Sequence, residues 1–339
     1  MNLKLFRSAR RIWLRFALTL LFIGIAAASF VLYMTSMPGK SFSGALPPLS
    51  TEESAISFNL NKHVANFAGV IGERNVIAYE PLQKTAQYIE DALKNQGYEV
   101  KSQEYVVQMR KVRNLIAEIH GDARANEIVI IGAHYDTVFE CPGADDNTSG
   151  VAALLELARL LKNSHPARTI RFVAFVNEEP PHFQTENMGS WVYAKEAHRQ
   201  KENIVAALSI ETIGMYSDAE GSQQYPDGFK SLYPSQGNFI GFVGNLSSRG
   251  LVRDAVRSFR ESEQFPSEGS AVPGSIPGVG WSDHWSFWQE GYPAIMVTDT
   301  APFRNKNYHE PTDTPDTLDY GRMARVVHGL VKVVTDLGK

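Results

Sequence analysis

Hydrophobic and polar positions along this chain fall into two alternating periods. Ile56, Leu60, Val64, Phe67 and Val70 recur every three or four residues, which predicts a helix over 52–70. A second helix is expected over 81–97, with Pro81 at its first position, Ala86, Ile89 and Leu93 facing inward, and Gly97 closing it. The pattern then shortens. Residues 98–108 alternate as a strand does, and 114–120 and 127–133 extend the sheet. Helical spacing returns over 151–161, 189–198, 251–261 and 320–337. Between these lie apolar β-branched runs at 169–176, 205–210, 238–243 and 294–297, which read as buried strands. Strands and helices alternating at this spacing predict an α/β fold, a mostly parallel twisted sheet with helices on both faces. No internal repeat interrupts the pattern.

The first fifty residues break it. They hold no Asp or Glu, and Lys4, Arg7, Arg10, Arg11 and Arg15 precede an uncharged run over 16–34. At about 1.5 Å per residue such a run matches the roughly 30 Å hydrocarbon core of a bilayer. The positive flank lies on its N-terminal side, so the N-terminus is expected in the cytoplasm and the rest of the chain exported, periplasmic or extracellular. Small residues at 26–29 also suit a cleaved signal peptide, but the length of the run and Tyr33 at its far edge favour an uncleaved single-pass anchor. The expected organisation is a basic tail at 1–15, an anchor at 16–34, a Gly/Ser/Pro-rich linker at 35–50 and one large domain at 51–339.

Composition changes this picture little. The chain is 43% hydrophobic and 21% charged, as globular proteins are. A formal charge of -4 argues against a nucleic-acid partner. One cysteine, Cys141, allows no intramolecular disulfide and reads as a small loop thiol.

The chemistry gathers just past the strands. After the run at 128–131 come His134 and Asp136, then Gly143 and the acidic pair Asp145-Asp146. Alone, His-x-Asp is most often a surface pair. Three further strand ends run into Glu178-Glu179, Glu211 and the loop of Tyr308-His309. Two histidines with carboxylates at the carboxyl ends of sheet strands are what a binuclear metal site needs, with Asp145 expected to bridge. Adjacent residues in extended chain point opposite ways, so one glutamate of the pair would ligate and the other face a metal-activated water. An isolated Glu-Glu pair is otherwise a solvated loop tip, and His182 nearby either lines the pocket or, the favoured reading, is an exposed loop histidine.

These pieces resemble peptidase family M28, the zinc-dependent aminopeptidases and related hydrolases. The resemblance rests on AHYD at 133–136, GADDNTSG at 143–150, NEE at 177–179, SIETIGMYSD at 209–218, WSDHWSF at 281–287 and YHEPTDTPDTLDY at 308–320, in the family's order. It implies two zinc ions, or one. His134, Asp145 and Glu211 would hold the first, and Asp145, Glu179 and His309 the second. Glu178 would be the general base and acid, and Asp136 would fix the tautomer of His134. It also implies a cis peptide between Asp145 and Asp146. Glu211 stands where the family usually has Asp. Asp283 is expected to orient His309, bind the substrate amine or cap the helix at Trp285. The activity so implied is a membrane-anchored aminopeptidase acting on peptides. The alternatives are a glutaminyl-cyclase-like enzyme with one zinc held by an Asp, a Glu and a His, and a binding ectodomain that keeps only the fold. Residues 216–237 are expected to form a loop over the pocket mouth.

Overall fold

The structure is a computed structural model describing residues 3–339, with side chains from Trp13 onward, so the side chains of Lys4, Arg7, Arg10 and Arg11 lie outside the described residues. The chain divides into two units, the first ending at Ser36 and the second running Met37–Lys339. In the first, helix α1 (Leu3–Thr35) carries an apolar stretch, Trp13–Thr35, of 23 residues. That stretch starts three residues before the expected run and takes in Arg15. At about 1.5 Å per residue it exceeds the bilayer core.

The second unit is built on one eight-stranded sheet. Its elements follow the expected alternation: α2 (Thr51–Val64), α3 (Tyr79–Asn95), β1 (Lys101–Val107), β2 (Arg110–Ile119), β3 (Arg124–His134), α4 (Gly150–Leu161), β4 (Arg168–Phe175), α5 (Gly189–Arg199) and β5 (Asn203–Ile210). Then come β6 (Ile240–Gly244), α6 (Arg249–Ser262), β7 (Ser267–Ala271), α7 (His284–Gln289), β8 (Ala294–Thr298), α8 (Ala301–Arg304) and α9 (Tyr320–Leu337). The spatial order is β1-β2-β4-β3-β5-β8-β6-β7. β4, β3, β5 and β8 are mutually parallel, β1 and β2 join one side antiparallel, and β6 runs antiparallel to β8 while pairing parallel with β7.

Strand alternation divides the core. Val129 and Ile131 of β3 face one side, packed with residues of α2, α3, α4, α6 and α9; Ile128 and Ile130 face the other, under α5 and α7. Both sides of the central strands are therefore dry, which explains their unbroken apolar runs. The start of α2 is fixed by a capping box, in which the Ser50 side chain accepts from Glu53 N and the Glu53 carboxylate accepts from Ser50 N at 2.6 Å. Pro81 is the third residue of α3 rather than the first, and Gly97 closes that helix at φ 84°.

Two expectations need correction. β7, with the sequence SEGSA, carries no apolar pattern to announce it. The segment 37–50 is no free linker. Met37 and Leu46 pack against the core, and Arg260 of α6 donates to the carbonyls of Pro38 and Gly39 at 3.1 and 3.3 Å. Ser41 Oγ accepts from Ser267 N at 2.9 Å, and Arg325 donates to the Pro47 carbonyl. A Cβ on Gly269 would stand 2.7 Å from Met37 Cγ, so glycine there lets the segment lie flat on β7. It covers the N–H edge that an outer strand otherwise exposes.

Candidate metal centre

The four parallel strands deliver the chemistry at their carboxyl ends. β3 ends at His134, β4 runs on into Glu178-Glu179, β5 is followed by Glu211, and the chain beyond β8 passes through α8 to His309. Because β4, β3, β5 and β8 are neighbours, these residues converge above one edge of the sheet.

Asp146 lies between the two histidines. Its Oδ1 is 3.3 Å from His134 Nε2 and its Oδ2 is 3.1 Å from His309 Nε2. Glu211 Oε2 is 3.2 Å from His134 Nε2 and Glu179 Oε2 is 3.4 Å from His309 Nε2. Glu178 Oε2 stands 3.8 Å from His134 Nε2. Three sets, His134/Asp146/Glu211, His134/Glu178/Glu179 and Asp146/Glu179/His309, have donor atoms within 4.8 Å of one another. Each is compact enough for one ion.

The place between the two histidines, expected of Asp145, is taken by Asp146. Asp145 turns the other way: its Oδ1 accepts from Gly214 N at 2.9 Å and its Oδ2 from Asn305 Nδ2 at 2.8 Å. It sits beside Asp299, and burial followed by that neighbour's charge pushes its pKa well above the usual carboxylate range. The cis peptide likewise lies one residue on, between Asp146 and Asn147. The pattern of two adjacent aspartates does not say which one faces the histidines; the turn does, with Asp146 at φ -105°, ψ 97°.

Residues that sequence reasoning passed over hold this loop. Asp313 accepts the backbone N–H of Asp145 at 2.9 Å and of Asp146 at 3.1 Å. Buried Arg74 donates to the carbonyls of Tyr135, Gly72, Pro142 and Gly143 and to Thr148 Oγ1, at 2.6 to 3.1 Å. Asn147 Nδ2 donates to Ile210 O, and Ser282 Oγ donates to Glu211 Oε2 at 2.6 Å. Asp313, Asn147 and Ser282 lie inside the motifs quoted above and are discoverable there. Arg74, in an unpatterned stretch before α3, carries no such signal.

Asp136 Oδ1 is 3.5 Å from His134 Nδ1, and its two oxygens also accept the N–H groups of Glu178 and Glu179 at 3.1 Å each. One carboxylate thus orients the histidine and the glutamate pair together. Asp283 is fully buried and makes no capping bond to α7; neither of its oxygens has a hydrogen-bond partner. Burial pushes it up to about 7, against the pull of His134. His182 is buried, not exposed as expected, in a small cavity shared with Asp136, Asn177 and Glu179. Cys141 Sγ donates to Glu310 O, and burial pushes its thiol up to about 12, so it stays protonated and inert.

The electrostatics suit a cation. Burial pushes Glu178 well above the usual range, Glu179 up to about 8 and Glu211 up to about 7. Asp146 would rise for the same reason, but the two imidazoles beside it hold it below the usual range. His309 Nε2, Asp146 Oδ1 and Glu179 Oε1 are buried without a hydrogen-bond partner. Four buried carboxylates facing two imidazoles are short of positive charge, and hard oxygen plus imidazole donors fit zinc. A second acidic group, Glu53/Glu263/His328, differs because Arg325 stands 3.2 and 4.0 Å from its glutamates and already neutralises it.

Beside the centre a cavity opens from Glu211 and Tyr308 towards β6 and β7, walled by Tyr225, Phe229, Tyr233, Phe239, Trp281 and Phe303. The segment 216–237 supplies three of these rings.

Residues 114–334 match the model of Peptidase family M28. The chain is 40% identical over 299 residues to the uncharacterised protein YfbL of Escherichia coli, covering 86% of this chain and 90% of that one. It is 33% identical over 160 residues to an aminopeptidase of Pseudomonas aeruginosa, covering 47% of this chain and only 27% of that protein. In fold it is similar to the zinc aminopeptidase BSAP of Bacillus subtilis, with a TM-score of 0.67 at 15% identity over 84% of this chain and 95% of that one. It is similar also to the glutaminyl cyclase of Fimbriiglobus ruber, at 0.61 and 20% identity over 88% and 99%. The sequence motifs and the matched span agree, and the chain belongs to peptidase family M28, a metallopeptidase by class.

Proposed function

We propose that this protein is a zinc-dependent aminopeptidase, held at a membrane by α1 with its N-terminus in the cytoplasm and the unit Met37–Lys339 exported. The observation that carries the reading is Asp146 standing between His134 and His309, with Glu211 and Glu179 completing a set on either side. His134, Asp146 and Glu211 would hold one ion, and Asp146, Glu179 and His309 a second. Zinc bound there would supply Lewis-acid polarisation of the scissile carbonyl and lower the pKa of water.

The chain's own groups do the rest. Glu178 belongs to neither of those two sets, yet its carboxylate lies beside them, 3.8 Å from His134 Nε2. Burial raises its proton affinity, which suits a base that takes a proton from the attacking water and passes it to the departing amine. Asp136 keeps His134 in one tautomer and fixes the backbone of the glutamate pair, so the base and one ligand cannot drift independently. Asp283 adds a buried negative charge on the same side, where it stabilises the orientation of the histidine or meets the substrate's ammonium. Ser282 holds Glu211 back, which accommodates a glutamate where an aspartate is usual.

Glu178→Gln tests this. Turnover of amino-acid amides should fall roughly a thousandfold while zinc content stays unchanged. A Gln variant as active as the parent would remove the mechanism. Pyroglutamate formed from a Gln-initiated peptide, with no free amino acid released, would move the protein to the cyclase reaction.

A further inference from the structure

The cavity beside the metal centre has a mostly apolar lining with a carboxylate at each end, Glu211 at the metal centre and Glu268 of β7 at the far end. The sheet register gives its position. Ile210 of β5 pairs with Val297 of β8, Thr298 pairs with Gly241 of β6, and Gly241 pairs with Glu268 of β7. Glu268 therefore lies three strands from the Glu211 ligand position, about 14 Å in the sheet plane. Alternation along β7 sets which way it faces. Ser267 Oγ accepts from Arg260 Nε of α6, and the Cα of Gly269 abuts Val256 of α6 and Met37. Glu268 and Ser270 thus face the other side, the cavity, which both of them line.

Arg260 pairs loosely with the carboxylate at 3.8 Å, and Ser41 also supports it. The hydrogen bonds of that guanidinium go instead to Ser267 Oγ and to the carbonyls of Pro38, Gly39 and Ser267, which leaves the carboxylate able to take a second cation. Ser270 Oγ, next along the same face, is buried without a hydrogen-bond partner. Tyr225 stacks on Tyr233 at 5.8 Å between centroids, and Phe229 on Tyr233 at 6.4 Å, so a wall of packed rings lines the approach. A long methylene stem fits such a wall, and a cation at its tip gains from the carboxylate.

We infer that Glu268 selects the amino-terminal residue: the cavity takes lysine or arginine, the stem lying along Tyr225, Phe229 and Tyr233 and the cation reaching Glu268 and Ser270. This rests on the aminopeptidase reading and adds a substrate class to it. Norleucine, with a similar stem and no charge, is the informative competitor.

The test uses the full chain in detergent with the amides of lysine, arginine, norleucine, leucine and phenylalanine. The parent should cleave the lysine and arginine amides with a kcat/KM about tenfold or more above norleucine, as a charge-assisted hydrogen bond predicts. Glu268→Gln should remove that advantage and leave norleucine within about twofold, and Glu268→Asp should restore part of it. A parent that prefers leucine, phenylalanine or norleucine would overturn the inference, as would a Gln variant that slows all five amides equally. Should no amide be cleaved, the peptidase reading fails, and calorimetry still decides the pocket. Lysinamide must then bind more tightly than norleucinamide in the parent and equally in Glu268→Gln; equal binding in the parent would sink the proposal.

Discussion

The carboxyl ends of β3, β4, β5 and β8 and the outer edge at β6 and β7 belong to one sheet but are held by different means. At the first, ionisable side chains meet within 4 Å, and their supports are also side chains aimed at backbone: Asp136, Asp313, Arg74 and Asn147. At the second, a segment more than two hundred residues earlier in the chain lies across β7, held by carbonyls, one hydroxyl and the missing side chain of Gly269. The first arrangement stores its information in residue type at fixed spacing, so a motif announces it. The second stores it in shape and backbone polarity, which leave no spacing to read.

Changing the aspartate pair one residue at a time probes the first region hardest. Asp146→Asn should cost at least about a hundredfold in turnover together with bound zinc, whereas Asp145→Asn should keep the zinc. Zinc content by atomic absorption checks both, and the reverse outcome would restore Asp145 as the bridge. Next comes the loop's internal support. Arg74→Met leaves the carbonyls of Tyr135 and Pro142 without this donor and should cost about 3 kcal/mol of unfolding free energy in a urea titration. A cost under about 0.5 kcal/mol would show that the loop holds without it.

The second region gives smaller effects. Gly269→Ala brings a Cβ to 2.7 Å from Met37 Cγ and 2.9 Å from Val256 Cγ2, and should destabilise by about 1–3 kcal/mol. Adding Met37→Ala should recover part of that, a non-additivity that a free linker would not produce. Smallest is a pH effect where α9 meets α2 and the end of α6. A 2.7 Å hydrogen bond to Glu263 raises the pKa of His328, burial works against it, and Glu52 and Glu53 assist while Arg325 stands nearby. A raised folded-state pKa stabilises below the ordinary value near 6.5, and the contribution fades as pH climbs through the folded value. With the side chain 34% exposed, it should amount to well under about 1 kcal/mol. Melting of the parent minus His328→Gln at pH 5.5 and 8.5 measures it; a difference larger at pH 8.5 would reverse the sign.

The same contrast explains what could be read in advance. The apolar runs gave the central strands and most helices to within a few residues, because burial on both faces demands β-branched residues there. His134 at the end of a strand, Glu178, Glu179 and Glu211 shortly after one, and His309 in the loop beyond β8 are all legible in the sequence, and the fold brings them together. The choice between Asp145 and Asp146 was not readable, since the backbone of the turn decides it. β7 went unseen for want of an apolar pattern in SEGSA, and with it the carboxylate at the far end of the cavity. Residues 37–50 looked like a linker because Gly, Ser and Pro serve flexible tethers and closely laid straps alike. His182 was taken for a surface residue because burial by a neighbouring loop leaves no mark on the sequence around it.

The central claim is that metal ions sit on either side of Asp146. Anomalous scattering at the zinc edge from crystals of the protein grown with zinc tests it directly. The account predicts a peak between His134 and Glu211 and another between His309 and Glu179, both in reach of the Asp146 carboxylate. Peaks next to Asp145 instead, or none near either histidine, would contradict it.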